Sequence, residues 1–155
     1  MAKIINNKFQ IGEGYLYLPA YPSGQYLPEL TVDDKTLYLK DEFHVSLIKL
    51  KNYSDDKQKL ILQELKQFNQ KFPIDIITYS EEYRLVNNGK HQSIIQMCSV
   101  QNWADFERHV NDTYQPNLLL SHPTHVTLYT EKSHTGIGLN SSFAIEENTV
   151  LFDRL

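Results

Sequence analysis

The sequence predicts an α+β fold with mainly antiparallel pairing. Patterned segments follow the order strands, helix, strands, helix, strands, so the helices do not alternate one for one with strands as a doubly wound parallel sheet requires. A strong hairpin signal, Asn87-Asn88-Gly89-Lys90 between two apolar runs, sits in mid-chain. Each half of the chain also holds one helix and one strand bearing His-x-Ser/Thr, the outline of a pseudo-repeat.

The elements follow in order. Apolar and aromatic residues alternate over 14–18, a strand pattern. A loop rich in Pro, Gly and Tyr occupies 19–28, and strands are predicted at 35–40 and 43–50. Ser54 is placed to cap a helix, with Asp55 and Asp56 in the first turn where the helix dipole favours acids. That helix is predicted to end near Lys71, with Leu60, Ile61, Leu65 and Phe68 as its apolar stripe and Pro73 as its stop. Strands at 74–79, 83–86 and 93–97 come next, the last two forming the hairpin. Asn102 is placed to cap a second helix through about Tyr114, with Trp103, Phe106 and Val110 on one side and Pro116 beyond its end. Residues 124–130 form another strand pattern, and 143–152 one or two more.

The chain has 155 residues, enough to bury a core and consistent with a single domain over 1–155 made of at most two closely joined lobes. Its single cysteine, Cys98, excludes an internal disulfide and a cysteine zinc cluster, which favours a reducing compartment. Cys98 itself fits a buried strand residue without chemistry. No apolar run approaches the roughly 18 residues that span a bilayer, and the start turns polar by Asn6 and Asn7, too early for a signal peptide. A cytoplasmic monomer without a membrane partner is expected. The formal net charge of −4 argues against an extended grip on nucleic acid, which needs many basic contacts to phosphates, but leaves room for a local site on a small phosphate ester.

Two segments carry the candidate chemistry: Phe43-His44-Val45-Ser46-Leu47 and Thr124-His125-Val126-Thr127-Leu128. Residues i and i+2 of a strand share a face, so His44 projects with Ser46 and His125 with Thr127, while the aliphatic residues between them anchor the other face. If the two strands are neighbours, two imidazoles and two hydroxyls converge. Imidazoles titrate near neutrality, so one can accept a proton while the other donates one. The hydroxyls can donate to non-bridging phosphate oxygens. The triplet alone is unspecific: four of the six histidines match His-x-Ser/Thr, including His91 and His122. Context separates them, because His91 directly follows the hairpin turn and His122 precedes a proline.

The motifs His44-Val45-Ser46-Leu47 and His125-Val126-Thr127-Leu128, about 80 residues apart, resemble those of the two-histidine (2H) phosphoesterase superfamily. The resemblance implies a pseudo-symmetric two-lobed α+β architecture over nearly the whole chain, with mainly antiparallel sheets lining a central cleft and helices packed outside. It implies a metal-independent phosphodiesterase without cofactors. His44 and His125 would be the acid/base pair, and Ser46, in place of the commoner Thr, and Thr127 the phosphate ligands. Members of the superfamily open RNA 2′,3′-cyclic phosphates and ADP-ribose cyclic phosphates or cleave 2′-5′ oligoadenylates, and some phage members cleave cyclic oligonucleotide signals. The implied partner is a small nucleotide or oligonucleotide. A nucleotide or RNA-end binding module that has lost turnover is the alternative, although a pure binder has no need of two titrating groups.

Other residues have weaker signals. Tyr129, at i+4 from His125, is expected on the same face, as a pocket wall, a stacking surface for a base, or an ordinary strand residue. Tyr15, Tyr17, Tyr21 and Tyr26 surround the Pro/Gly loop and suit either a lid over a nucleobase, with Tyr21 and Tyr26 as its substrate-binding candidates, or ordinary strand and loop positions. Arg84 can pair with a phosphate, or with solvent at a sheet edge. Lys132, His134 and the glycines Gly136 and Gly138 follow the second motif as a ligand approach or a plain turn, and no helix pattern follows them to make a dinucleotide fingerprint. A zinc site of His44, His122 and His125 is disfavoured by Pro123 and the strand pattern.

Overall fold

In the computed structural model, residues 3–5, 8–131 and 149–152 are described, and they form two compact units. The sheet is mostly antiparallel, and two helices complete the α+β composition among the described residues.

The first unit takes in the described residues of Met1–Pro19, Ser46–Thr78 and Val100–Ser121. Strands β1 (Lys3–Ile5), β2 (Phe9–Gly12) and β3 (Tyr15–Ala20) form a meander, and β3 alternates half-buried with buried side chains. A two-residue turn, Glu13-Gly14, joins β2 to β3 with φ of 53° and 83°, the conformation that matches strand twist in tight hairpins. Gly14 is required there for space as well: a Cβ would stand 2.9 Å from the Lys51 side chain, whose backbone N–H donates to the Gly14 carbonyl. Helix α1 (Asp55–Lys71) starts where the capping chemistry predicts, the Ser54 hydroxyl accepting from the Lys57 N–H at 3.3 Å. Ile61 and Leu65 are its buried residues.

Helix α2 (Trp103–Thr113) buries Trp103, Phe106 and Val110. The helices meet through Phe68, whose ring lies 5.5 Å from that of Phe106. Asn102 occupies the cap position but not the expected capping role. It sits in the left-handed region (φ 65°), which asparagine tolerates, and its side-chain amide donates to the Pro73 carbonyl.

The second unit takes in the described residues of Ala20–Val45, Tyr79–Ser99 and His122–Leu155. It holds the strands of both histidine motifs: β6 (Phe43–Ile48), which belongs to this unit through Val45, and β9 (His125–Glu131). One edge of β9 is bonded to β8 (Gln92–Val100); its other edge is shared by β5 (Lys35–Leu39) and β6. Strand β4 (Glu29–Val32) pairs with β5 across an Asp33-Asp34 turn with φ of 47° and 66°. Strand β7 (Ile77–Asn87) lies beyond β8, and β10 (Thr149–Leu151) beyond β7.

Several expectations change. The strands predicted at 74–79 and 83–86 are one strand, β7, because nothing between Tyr79 and Tyr83 breaks the ladder, and 73–76 are irregular behind Pro73. Strands β1, β2 and β4, of three or four residues, were not predicted. The hairpin after β7 is present, with the Asn87 and Asn88 side chains accepting from the turn's own amides and Gly89 at φ 89°. Of the tail, 143–148 lie outside the described residues, as do Lys132, His134, Gly136 and Gly138.

Candidate active site

The pairing of β6 with β9 fixes the site. Val45 faces Val126 in an antiparallel register, and both are fully buried. Their flanking residues therefore project from the opposite face of the pair. One step along the register His44 comes directly across from Thr127, and His125 is the diagonal neighbour of His44. Diagonal neighbours lie about 7–8 Å apart, their β-carbons somewhat closer, a span over which two imidazoles can flank one phosphorus atom. Ser46 follows His44 by two residues along β6, just past the point where the strand leaves this unit.

His125 is the electrostatically distinctive residue. The residue is half-buried, and its Nδ1 is sealed from solvent and makes no hydrogen bond of normal geometry. Burial holds its pKa down to about 4, and the neighbouring His122 and His44 push the same way, against a smaller opposing effect of the Pro123 carbonyl. His125 is therefore a neutral imidazole at pH 7. His44 and His122 both lie close enough to His125 to influence its titration. Among the described residues, however, no group of three His, Cys, Asp or Glu is disposed to hold a metal ion.

Leu128 breaks the alternation of β9. Ile94 of β8 faces Tyr129 and Ile95 faces Thr127, so Leu128 is an extra residue, a β-bulge. Beyond it the faces exchange: Tyr129 joins Val126 on the buried face, and Thr130 takes the place on the imidazole face. The i+4 expectation for Tyr129 fails for this reason. The Tyr129 side chain is fully buried, its hydroxyl donates to the Leu27 carbonyl at 2.7 Å, and burial raises its pKa.

The other weak candidates are not brought to the imidazoles. The Tyr26 hydroxyl lies 3.4 Å from Gln96 Oε1, and Gln96 faces Val126, which puts both on the buried face. Burial, with Tyr83 nearby, pushes the Tyr26 phenol to about 12. Tyr21 is 81% exposed and is tied to Tyr79 only through its backbone N–H. Arg84 lies on β7, two strands from β9, and its guanidinium donates to Glu82 and Thr149. Cys98 is half-buried rather than buried, and burial raises its thiol to about 11.

Sequence reasoning missed the surroundings of His44. Between Leu39, which faces Tyr129, and Val45, which faces Val126, the chain carries more residues than β9 does; Lys40 still donates its N–H to the Leu128 carbonyl, and 41–42 bend away. The result is an open cavity of about 610 Å³ beside His44, lined among others by Tyr38, Lys40, Asp41, Glu42 and Thr130. Glu131 at its edge is already engaged, accepting from the Gln92 N–H and lying 3.5 Å from Lys35. Only knowledge that β5 and β6 share one partner strand would have revealed this cavity.

No protein-family model, curated protein or solved structure matches the chain. Among the described residues, no helix is long and apolar enough to cross a membrane.

Proposed function

We propose that the protein is a metal-independent phosphodiesterase of the two-histidine type, acting on a nucleotide phosphodiester: a 2′,3′-cyclic phosphate or a small cyclic or 2′-5′ oligonucleotide. The observation that supports it most is the Val45–Val126 register, which gives His44, His125 and Thr127 a common face. In the proposed step on a cyclic phosphate, neutral His125 removes a proton from water. The water oxygen forms a bond to phosphorus, one ribose–oxygen bond to phosphorus breaks, and protonated His44 gives its proton to the leaving oxygen. Thr127, with Ser46 in the corresponding position on β6, donates to the non-bridging oxygens as charge builds on them. The depressed pKa of His125 supports its assignment as base, since it is proton-free at neutral pH. The reading includes the superfamily's two-lobed pseudo-symmetry and a monomeric, cytoplasmic protein.

The test is an assay in EDTA against 2′,3′-cyclic nucleotides, ADP-ribose cyclic phosphate, 2′-5′ oligoadenylates and cyclic di- and trinucleotides. His44→Ala and His125→Ala should each lower the rate on the accepted substrate by at least about 10²-fold with the fold intact. Parent-like rates in either variant would remove the assignment. Binding without turnover of any substrate would leave the binding-module alternative.

A further inference from the structure

We propose that the cavity beside His44 is a nucleobase subsite, with Tyr38 as the stacking surface and the Asp41 and Glu42 carboxylates selecting a base that carries an exocyclic amine. The inference rests on the phosphodiesterase reading and specifies its substrate. Tyr38 faces Thr130 across β5 and β9, and the Leu128 bulge has turned Thr130 onto the imidazole face. Tyr38 therefore stands on that face with His44, where the sequence pattern had suggested Tyr129. It is 39% exposed, so ring area remains for a ligand to cover. Thr130 is nine-tenths buried and lines the same cavity.

Size and charge narrow the occupant. A cavity of about 610 Å³ is within the range that holds whole small ligands. Lys40, Asp41 and Glu42 make no ion pair among the described residues, so carboxylates outnumber ammonium groups by two to one on this wall. That balance disfavours a second phosphate and suits hydrogen-bond donors. An aromatic face accepts any base, whereas a carboxylate accepts from the amino group of cytosine, as it does from other amino-bearing bases, and finds no such group on uracil.

The experiment is calorimetric titration of the whole chain with 3′-CMP, 3′-AMP and 3′-UMP, ring-opened nucleotides that carry no phosphodiester to turn over. The parent should bind the cytosine and adenine nucleotides about 10-fold more tightly than the uracil nucleotide. Tyr38→Ala should weaken all three by about 10-fold, while Tyr38→Phe, which keeps the ring, should not. Asp41→Asn combined with Glu42→Gln should bring the three affinities together. Equal affinities in the parent, no measurable binding, or an unaltered affinity in Tyr38→Ala would overturn the subsite. The phosphodiesterase reading fails separately, through parent-like cleavage by the histidine variants, because these affinities do not depend on turnover.

Discussion

Acidification is expected to act on this protein through His125. Its folded-state pKa of about 4 lies below the ordinary imidazole value of 6.5, so the unfolded chain takes up the proton first. The stability tied to its neutral ring is fully present above pH 6.5 and is lost as pH falls towards 4. The gap corresponds to roughly 3 kcal/mol, an upper figure because the residue is only half-buried. Glu107 on α2 opposes this. Burial raises its carboxyl to about 7, so the stability linked to its neutral form is full below the ordinary carboxylate range and is lost as pH rises to 7. The two contributions run in opposite directions across the mildly acidic range, and the parent's stability should change little there. His125→Gln separates them. In urea titrations at pH 7 and pH 4.5, the parent should change little, whereas the variant, left with Glu107, should gain stability on acidification. An NMR titration of the parent should place the His125 imidazole near pH 4. A His125 midpoint between 6 and 7, with equal acid sensitivity of parent and variant, would refute the burial argument.

Other expectations are simpler. Tyr129→Phe removes the bond to the Leu27 carbonyl and should lower stability by about 1 kcal/mol with the cleavage rate unchanged; a large fall in rate at full stability would return Tyr129 to the pocket. Thr127→Val should lower kcat by about 10²-fold or more by removing a phosphate donor, and Thr127→Ser should restore most of it. A rate unchanged in Thr127→Val would show that this hydroxyl does not meet the phosphate.

Local chemistry was legible in the sequence wherever one segment determined the outcome. Ser54, the paired aspartates and Pro73 bounded α1 correctly, and the alternation around Val45 and Val126 identified the faces of the histidine strands. Three short strands went unread because their length gives alternation little to work with. The turns Glu13-Gly14 and Asp33-Asp34 hold non-glycine residues at positive φ, which the usual hairpin signal does not cover. The site's surroundings depended on partners distant in sequence. Nothing in the run from His125 to Glu131 signals that Leu128 is an extra residue; the bulge appears only against β8. That one residue moves Tyr129 away from the histidines and brings Thr130 and Tyr38 into their place.

Joint action of His44 and His125 on one phosphorus atom is tested most directly by a double-mutant cycle. Single-turnover rates would be taken on the best substrate for the parent, His44→Ala, His125→Ala and the double variant. Groups that serve one transition state lose their effect together, so the double variant should be about as slow as the slower single variant. Losses that multiply, giving a double variant slower by the product of the two single effects, would mean that the imidazoles act independently, and the account would be wrong.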